Sequence, residues 1–270
     1  MKLSDVYQIA DELAPLRLSK EFCENYGAYD NSGILVDTGD DVKGILFTLD
    51  LSLAAIAKAK ALGANLIITH HPAIYGKIDS VCVGNSLGQK LVDCIKNGIS
   101  VLSMHLNLDG AEHGIDESLM QGICKAANSP SGQNQSVYHT LSNGGYGRVY
   151  DVTPCSLKTL VLEMEKEFST KRILYYGKDE REIKRVASFC GAGVEDGSVA
   201  KAIENEGGKA DVIVSSDFKH HFITGALEQG LAVIILTHYA SENYGYKKYY
   251  EKIRQRLEIP CAYHTDEELL

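Results

Sequence analysis

Five short stretches of this sequence carry adjacent apolar side chains, so that both faces of a strand would be apolar: residues 44–49, 65–69, 99–104, 211–215 and 231–236. A strand with one face in water alternates polar and apolar side chains, whereas a strand without alternation is buried on both faces. Between these runs lie stretches of helical length, residues 53–62 and 87–96, closed by Gly63 and Gly98. Glycine is the residue type that ends helices most easily. Strand and helix therefore alternate, and the pattern predicts an α/β fold with largely parallel sheets flanked by helices. Residues 5–13 read as an opening helix, with Ser4 as its cap and Pro15 as its end.

A second pattern overlies the first. Residues 62–69 (Leu-Gly-Ala-Asn-Leu-Ile-Ile-Thr) match residues 208–215 (Gly-Lys-Ala-Asp-Val-Ile-Val-Ser), and residues 97–102 match 229–234. Asp41-Val42-Lys43 and Glu182-Ile183-Lys184 open the two copies, and each closes on a His-x-x-x-acid, His105 to Asp109 and His238 to Glu242. The order of elements points to an internal duplication. At 270 residues the chain has room for two small domains or one large one. The Ser-, Gly-, Asn- and Gln-rich segment 128–147 is the natural linker. We expect a first domain of residues 1–127 plus 236–270 and a second of residues 128–235.

The hydrophobic fraction is 44% and the charged fraction 23%. Those are the proportions of an ordinary globular protein, and they exclude a disordered chain. A net charge of −9 opposes a phosphate backbone at long range, so nucleic acid is not an expected partner. The longest clean apolar run, residues 231–236, is far short of a membrane span, and the N-terminus turns polar at once. We expect a cytoplasmic chain without membrane attachment. Its seven cysteines are scattered, with no C-x-x-C pair, and read as small buried hydrophobes in a reducing compartment.

The chemistry collects where strands end. Of nine histidines, six fall there: His70 and His71 before Pro72, then His105, His220, His221 and His238. In open α/β sheets ligands bind beyond the carboxyl ends of the strands. Histidines and carboxylates from several loops suit borderline divalent ions such as Zn, Mn, Fe, Co or Ni, and the absence of cysteine favours an open site over a closed structural zinc. Pro72 holds His71 extended, so that the His-His pair can splay toward two neighbouring ions. His238 and Glu242 share a helical face if a helix starts at that point. Gly191-Ala192-Gly193 reads either as a tight turn or as a phosphate cradle. The tyrosines at 239, 244, 246, 249 and 250 suit base stacking, helix packing or a subunit interface.

Asp30-Asn31-Ser32-Gly33, Thr69-His70-His71-Pro72, His105-Leu106-Asn107-Leu108-Asp109 and His238-Tyr239-Ala240-Ser241-Glu242 resemble, in order and over essentially the whole chain, the Nif-three-like dinuclear metal-centre family. Many of its members carry the name GTP cyclohydrolase 1 type 2 homologue. The resemblance implies two similar, intertwined α/β units. It also implies two divalent metal ions per subunit held by His70, His71, Asp109, His238 and Glu242, with His105 in or beside the shell, and a homo-oligomer, commonly a hexamer. Tyr29 stands where the family often has Trp, Ser215-Ser216-Asp217 replaces a Thr-Gly-acid, and Thr237 replaces a Gly. None of these departures removes an implied ligand, but Ser215 to His221 bears on substrate preference. The activity implied is metal-dependent hydrolysis that opens the ring of a purine nucleotide. His105, His220 and His221 are the candidates for proton transfer, and packing or capping explains His220 and His221 equally well. A non-enzymatic, metal-dependent regulatory or protein-binding module would use the same ligands, and the sequence leaves both readings open.

Overall fold

A computed structural model describes the backbone of residues 1–270 and every side chain except that of Asp196. The chain divides into two compact units, Met1–Ala111 with Tyr246–Thr265, and Glu112–Gly245 with Asp266–Leu270.

The first unit opens with α1 (Leu3–Leu13) and α2 (Leu16–Tyr26) and continues through β1 (Gly33–Val36), β2 (Ile45–Thr48), α3 (Leu53–Leu62), β3 (Leu66–Thr69), α4 (Ser86–Lys96), β4 (Ser100–Ser103) and the single turn α5 (Leu106–Asp109). Among the described residues its sheet has the order β1-β4-β3-β2-β11, where β11 is Cys261–Tyr263. All neighbours are parallel except β1 against β4. Both faces are covered, which is why the strands lack alternation. Leu46, Ile67 and Val101 pack in one core cluster with Ala55, Ile56 and Ala59 of α3 and Leu91 and Cys94 of α4. On β2 the next residue along, Phe47, meets the Tyr250 ring at 5.2 Å.

The second unit runs through α6 (Ile115–Ala126), β5 (Gln133–Leu141), β6 (Gly144–Ser156), α7 (Leu157–Glu167), β7 (Leu174–Tyr176), β8 (Glu182–Ser188), α8 (Asp196–Ile203), β9 (Val212–Ser215), α9 (His220–Glu228) and β10 (Ala232–Ile235). Its sheet has the order β5-β6-β8-β9-β10-β7. The parallel character holds at its centre, β8-β9-β10, while β5, β6 and β7 join antiparallel. That central triplet repeats β2-β3-β4 of the first unit, and a side chain repeats with it. Asn65 Oδ1 accepts the Lys43 N–H at 2.8 Å, and Asp211 Oδ2 accepts the Lys184 N–H at 2.8 Å. The helix α10 (His238–Ile253) begins in the second unit and continues in the first.

Three expectations change. Segment 128–147 is not a linker: it holds β5 and the start of β6, a hairpin at the edge of the second sheet. An edge strand keeps polar side chains, since an apolar edge invites pairing with another chain. The units are also drawn at other residues than 127/128 and 235/236. Helix α6 counts with the second unit because its fully buried Asp116 is ion-paired at 3.0 Å to buried Arg148 of β6. Finally, α1 begins before Ser4: its cap is Lys2, whose backbone N–H donates to Asp5 Oδ2 at 3.0 Å.

Candidate functional site

In the first unit the carboxyl ends of the parallel strands carry His70, His71 and His105, and Asp109 follows on α5. The ligand atoms of the three histidines lie within 4.8 Å of one another. His70 is fully buried and Asp109 4% exposed, with His70 Nε2 3.4 Å from Asp109 Oδ1. Each histidine is held from behind through Nδ1. That of His70 faces the Met104 carbonyl at 2.8 Å, that of His71 faces Asp50 Oδ1 at 2.8 Å, and that of His105 faces Asp30 Oδ1 at 2.7 Å.

Asp30 is itself built in. It accepts from Ser19 Oγ at 2.5 Å and Ser32 Oγ at 2.6 Å, and Ser32 Oγ accepts the His105 backbone N–H at 3.0 Å. Burial alone would raise the Asp30 carboxyl, but the bonds from His105, Ser19 and Ser32 outweigh it and hold the group at about 2.

The second unit repeats the arrangement. As the spacing requires, α10 starts at His238, so His238 and Glu242 stand one turn apart, Nε2 to Oε2 at 3.1 Å. His238 Nδ1 faces Asp217 Oδ2 at 2.6 Å. Glu242 is 3% exposed. Beneath it passes Gly191, with φ of +56°, where a Cβ would lie 2.1 Å from Glu242 Oε1. Close approach, rather than phosphate binding, explains this glycine. The Cys190 and Gly191 amides already donate to Asp116 Oδ1 and Ser241 Oγ, so neither forms a phosphate cradle.

The donor set fits a metal. A histidine whose Nδ1–H donates to a carbonyl or carboxylate carries its lone pair on Nε2, the form and orientation that metal ligands take. In that tautomer Nε2 against a carboxylate oxygen at 3.1 Å or 3.4 Å brings two electron-rich atoms together, which is favourable only with a proton or a cation between them. All the ligand atoms are imidazole nitrogen or carboxylate oxygen, as borderline divalent ions prefer.

His220 and His221 are exposed in the first turn of α9, with the His221 ring against Phe222 at 4.2 Å. Among the described residues neither belongs to a group of three potential ligands. The tyrosines of α10 are largely packing residues: Tyr239, Tyr246 and Tyr249 are buried, Tyr246 donates to the Ile68 carbonyl at 2.8 Å, and Tyr244 packs on Phe168. Sequence reasoning passed over Asp50. Its signal is an acid directly beyond a strand end, the same pattern that marks the other loops. All seven cysteines carry free thiols. No helix among the described residues is long and apolar enough to cross a membrane.

Known proteins share this architecture from end to end. A GTP cyclohydrolase 1 type 2 homolog of Clostridium perfringens is 29% identical over 99% of this chain and 97% of its own length. The crystal structure of Staphylococcus aureus protein SA1388 superposes with a TM-score of 0.81 at 23% identity, over 98% of this chain and 96% of that one, a likeness of fold. Reduced HcgD from Methanocaldococcus jannaschii superposes with a TM-score of 0.76 at 28% identity, over 97% of both chains. The family model for Duf34/NIF3 matches residues 1–266, and with it the fold, the repeated His-x-x-x-acid loops and the buttressed histidines come under one heading: the chain belongs to the DUF34/NIF3 (NGG1p interacting factor 3) family.

Proposed function

We propose that the protein is a dinuclear metal hydrolase in which His70, His71, Asp109, His238 and Glu242 hold two divalent ions, and that its substrate is a purine nucleotide whose base ring it opens. The observation that carries the metal reading is the buttressing of His70, His71, His105 and His238, each through Nδ1 to a carbonyl or carboxylate. Unrelated core histidines have no reason to share one tautomer and to offer Nε2 beside carboxylates. The substrate class rests on the names of the relatives, GTP cyclohydrolase 1 type 2 homolog in Clostridium perfringens and in Methanocaldococcus jannaschii.

Two ions would supply Lewis acidity and a water acidic enough to act as a nucleophile near neutral pH. The chain supplies the rest. Asp30, Asp50 and Asp217 fix ring orientation. The near-complete burial of His70, Asp109 and Glu242 lowers the local dielectric, which strengthens attraction for a cation. The His105 side chain is 17% exposed and hydrogen-bonded to Asp30. It can therefore take up or deliver a proton while its ring stays fixed. His220 and His221 are left without a role in this reading. We further propose that the subunits assemble as a homohexamer, and that the chain works in the cytoplasm.

The test is elemental analysis of protein purified without added metal, followed by incubation of metal-loaded protein with GTP while formate and the purine spectrum are followed. About two ions per chain with turnover, both lost in the His70→Ala, His238→Ala double variant, is the expected result. Turnover that persists in that variant refutes metal catalysis. Stoichiometric metal without turnover moves the reading to a metal-dependent binding module.

A further inference from the structure

One heavily bonded loop in the second unit is not a ligand loop. Cys190 and Gly191 follow β8, and all four of their backbone polar groups are used. The Cys190 N–H donates to Asp116 Oδ1 at 3.4 Å, and the Cys190 carbonyl accepts from the Tyr146 hydroxyl at 2.5 Å. The Gly191 N–H donates to Ser241 Oγ at 3.3 Å, and its carbonyl accepts from Ser215 Oγ at 3.1 Å and from the Ser216 N–H at 3.3 Å. Asp116 is fully buried, and its second oxygen takes the Gly147 N–H at 3.0 Å and the Arg148 guanidinium at 3.0 Å. Placing a carboxylate and a guanidinium in the interior is costly, and removing either partner leaves a stranded charge.

What lies over the turn is Glu242. The space between Gly191 and Glu242 Oε1 is too small for a methyl group, and Ser241, which receives the Gly191 N–H, is the residue before Glu242 and also donates to the His238 carbonyl at 2.8 Å. The Cys190–Gly191 turn is thus the floor under both second-unit ligands. Asp116 from α6 and Tyr146 from β6 hold its Cys190 half, and Ser241, Ser215 and Ser216 hold Gly191.

We infer that Asp116 and Tyr146 are positioning residues of the metal site, acting through the Cys190–Gly191 turn to fix Glu242. The inference rests on the metal reading above. Asp116→Asn replaces one of the two accepting oxygens with an amide that can only donate, so either Cys190 or Gly147 loses its acceptor. Glu117, 3.9 Å from Arg148, remains as a counter-charge. Tyr146→Phe removes the hydroxyl that donates to the Cys190 carbonyl and keeps the ring, so it preserves the core if the first variant folds poorly. Asp151→Asn is the control: it breaks the ion pair of Asp151 with Arg185, which also belongs to the second unit but does not touch the turn.

The experiment is a cobalt(II) titration of the full-length protein, reading the visible d–d absorption, with far-ultraviolet circular dichroism and a thermal melt on every variant. Asp116→Asn and Tyr146→Phe are expected to weaken cobalt binding by about threefold or more, short of the roughly tenfold that follows loss of a group bonded directly to a ligand, and to shift the d–d band. Asp151→Asn should leave the band in place even where its melting point drops as far. Wild-type uptake with unchanged affinity and band in both test variants overturns the inference alone, as does an equal effect of Asp151→Asn. No cobalt uptake by the wild type overturns the metal reading and the inference with it.

Discussion

Replacing Gly191 by alanine isolates how much the site depends on one missing methyl group. Two effects separate cleanly. The first is conformational, because φ is +56°. Such a left-handed position costs a residue with a Cβ roughly 1–2 kcal/mol. The second is a collision. The new Cβ would lie 2.1 Å from Glu242 Oε1, 3.2 Å from Glu242 Cδ and 3.3 Å from His238 Nε2, whereas Cβ contacts under 3.0 Å essentially never occur. The oxygen must therefore retreat by most of an ångström. Metal–ligand distances are held to within roughly 0.2 Å, so that retreat takes Glu242 out of bonding range. Glu242 is 3% exposed and has no open solvent to swing into. The strain alone should lower the melting point by a few degrees, since ~1 kcal/mol moves a domain of this size by about 2–4 °C. Its metal affinity should fall by about tenfold or more. Gly63→Ala supplies the comparison: φ is +67° and nothing lies within 4 Å of its Cβ, so it carries the same strain with no collision. Both proteins are assayed by elemental analysis after dialysis and by thermal melting. If Gly191→Ala keeps wild-type metal content, or Gly63→Ala loses as much, the link from this glycine to the metal site is refuted.

Glu242→Ala is expected to retain less than the wild-type metal complement while its circular dichroism stays unchanged, because its carboxylate stands beside the His238 ring and not in an apolar core layer. Asp30 sits at about 2 when folded against an ordinary value of 3.8. A depression of that size makes its carboxylate contribute about 2 kcal/mol of stability. That stability is present above about pH 4 and lost as pH falls toward 2. Urea unfolding of metal-free protein should show this acid limb, and Asp30→Asn should flatten it. Asp217→Asn should weaken metal binding with little loss of stability, since the Asp217 side chain is 56% exposed and pairs with His238. Light scattering that returns a 29.5 kDa monomer across a tenfold concentration range would overturn the hexamer.

Much of this was legible from residue order alone. Adjacent apolar residues within 44–49, 65–69 and 99–104 require cover on both faces, which a helix-flanked parallel sheet provides, and the structure has that sheet. Gly63 ends α3 in the left-handed conformation, as its place after residues 53–62 requires. His238 and Glu242 meet because a helix fixes neighbours four residues apart whatever surrounds it. Local rules were enough wherever both partners lay within a few residues. They failed where the deciding contact was distant. The polar segment 128–147 has the composition of a linker, and only pairing with β8 across the sheet makes β6 a central strand and β5 its edge. Asp50, Asp30 and Asp217 are ordinary acids in the chain. Their role comes from lying against the rings of His71, His105 and His238, residues far from them in sequence. Gly191 reads as a turn until Glu242, from a distant helix start, is folded against it, and the space that excludes a methyl group exists only in the tertiary structure.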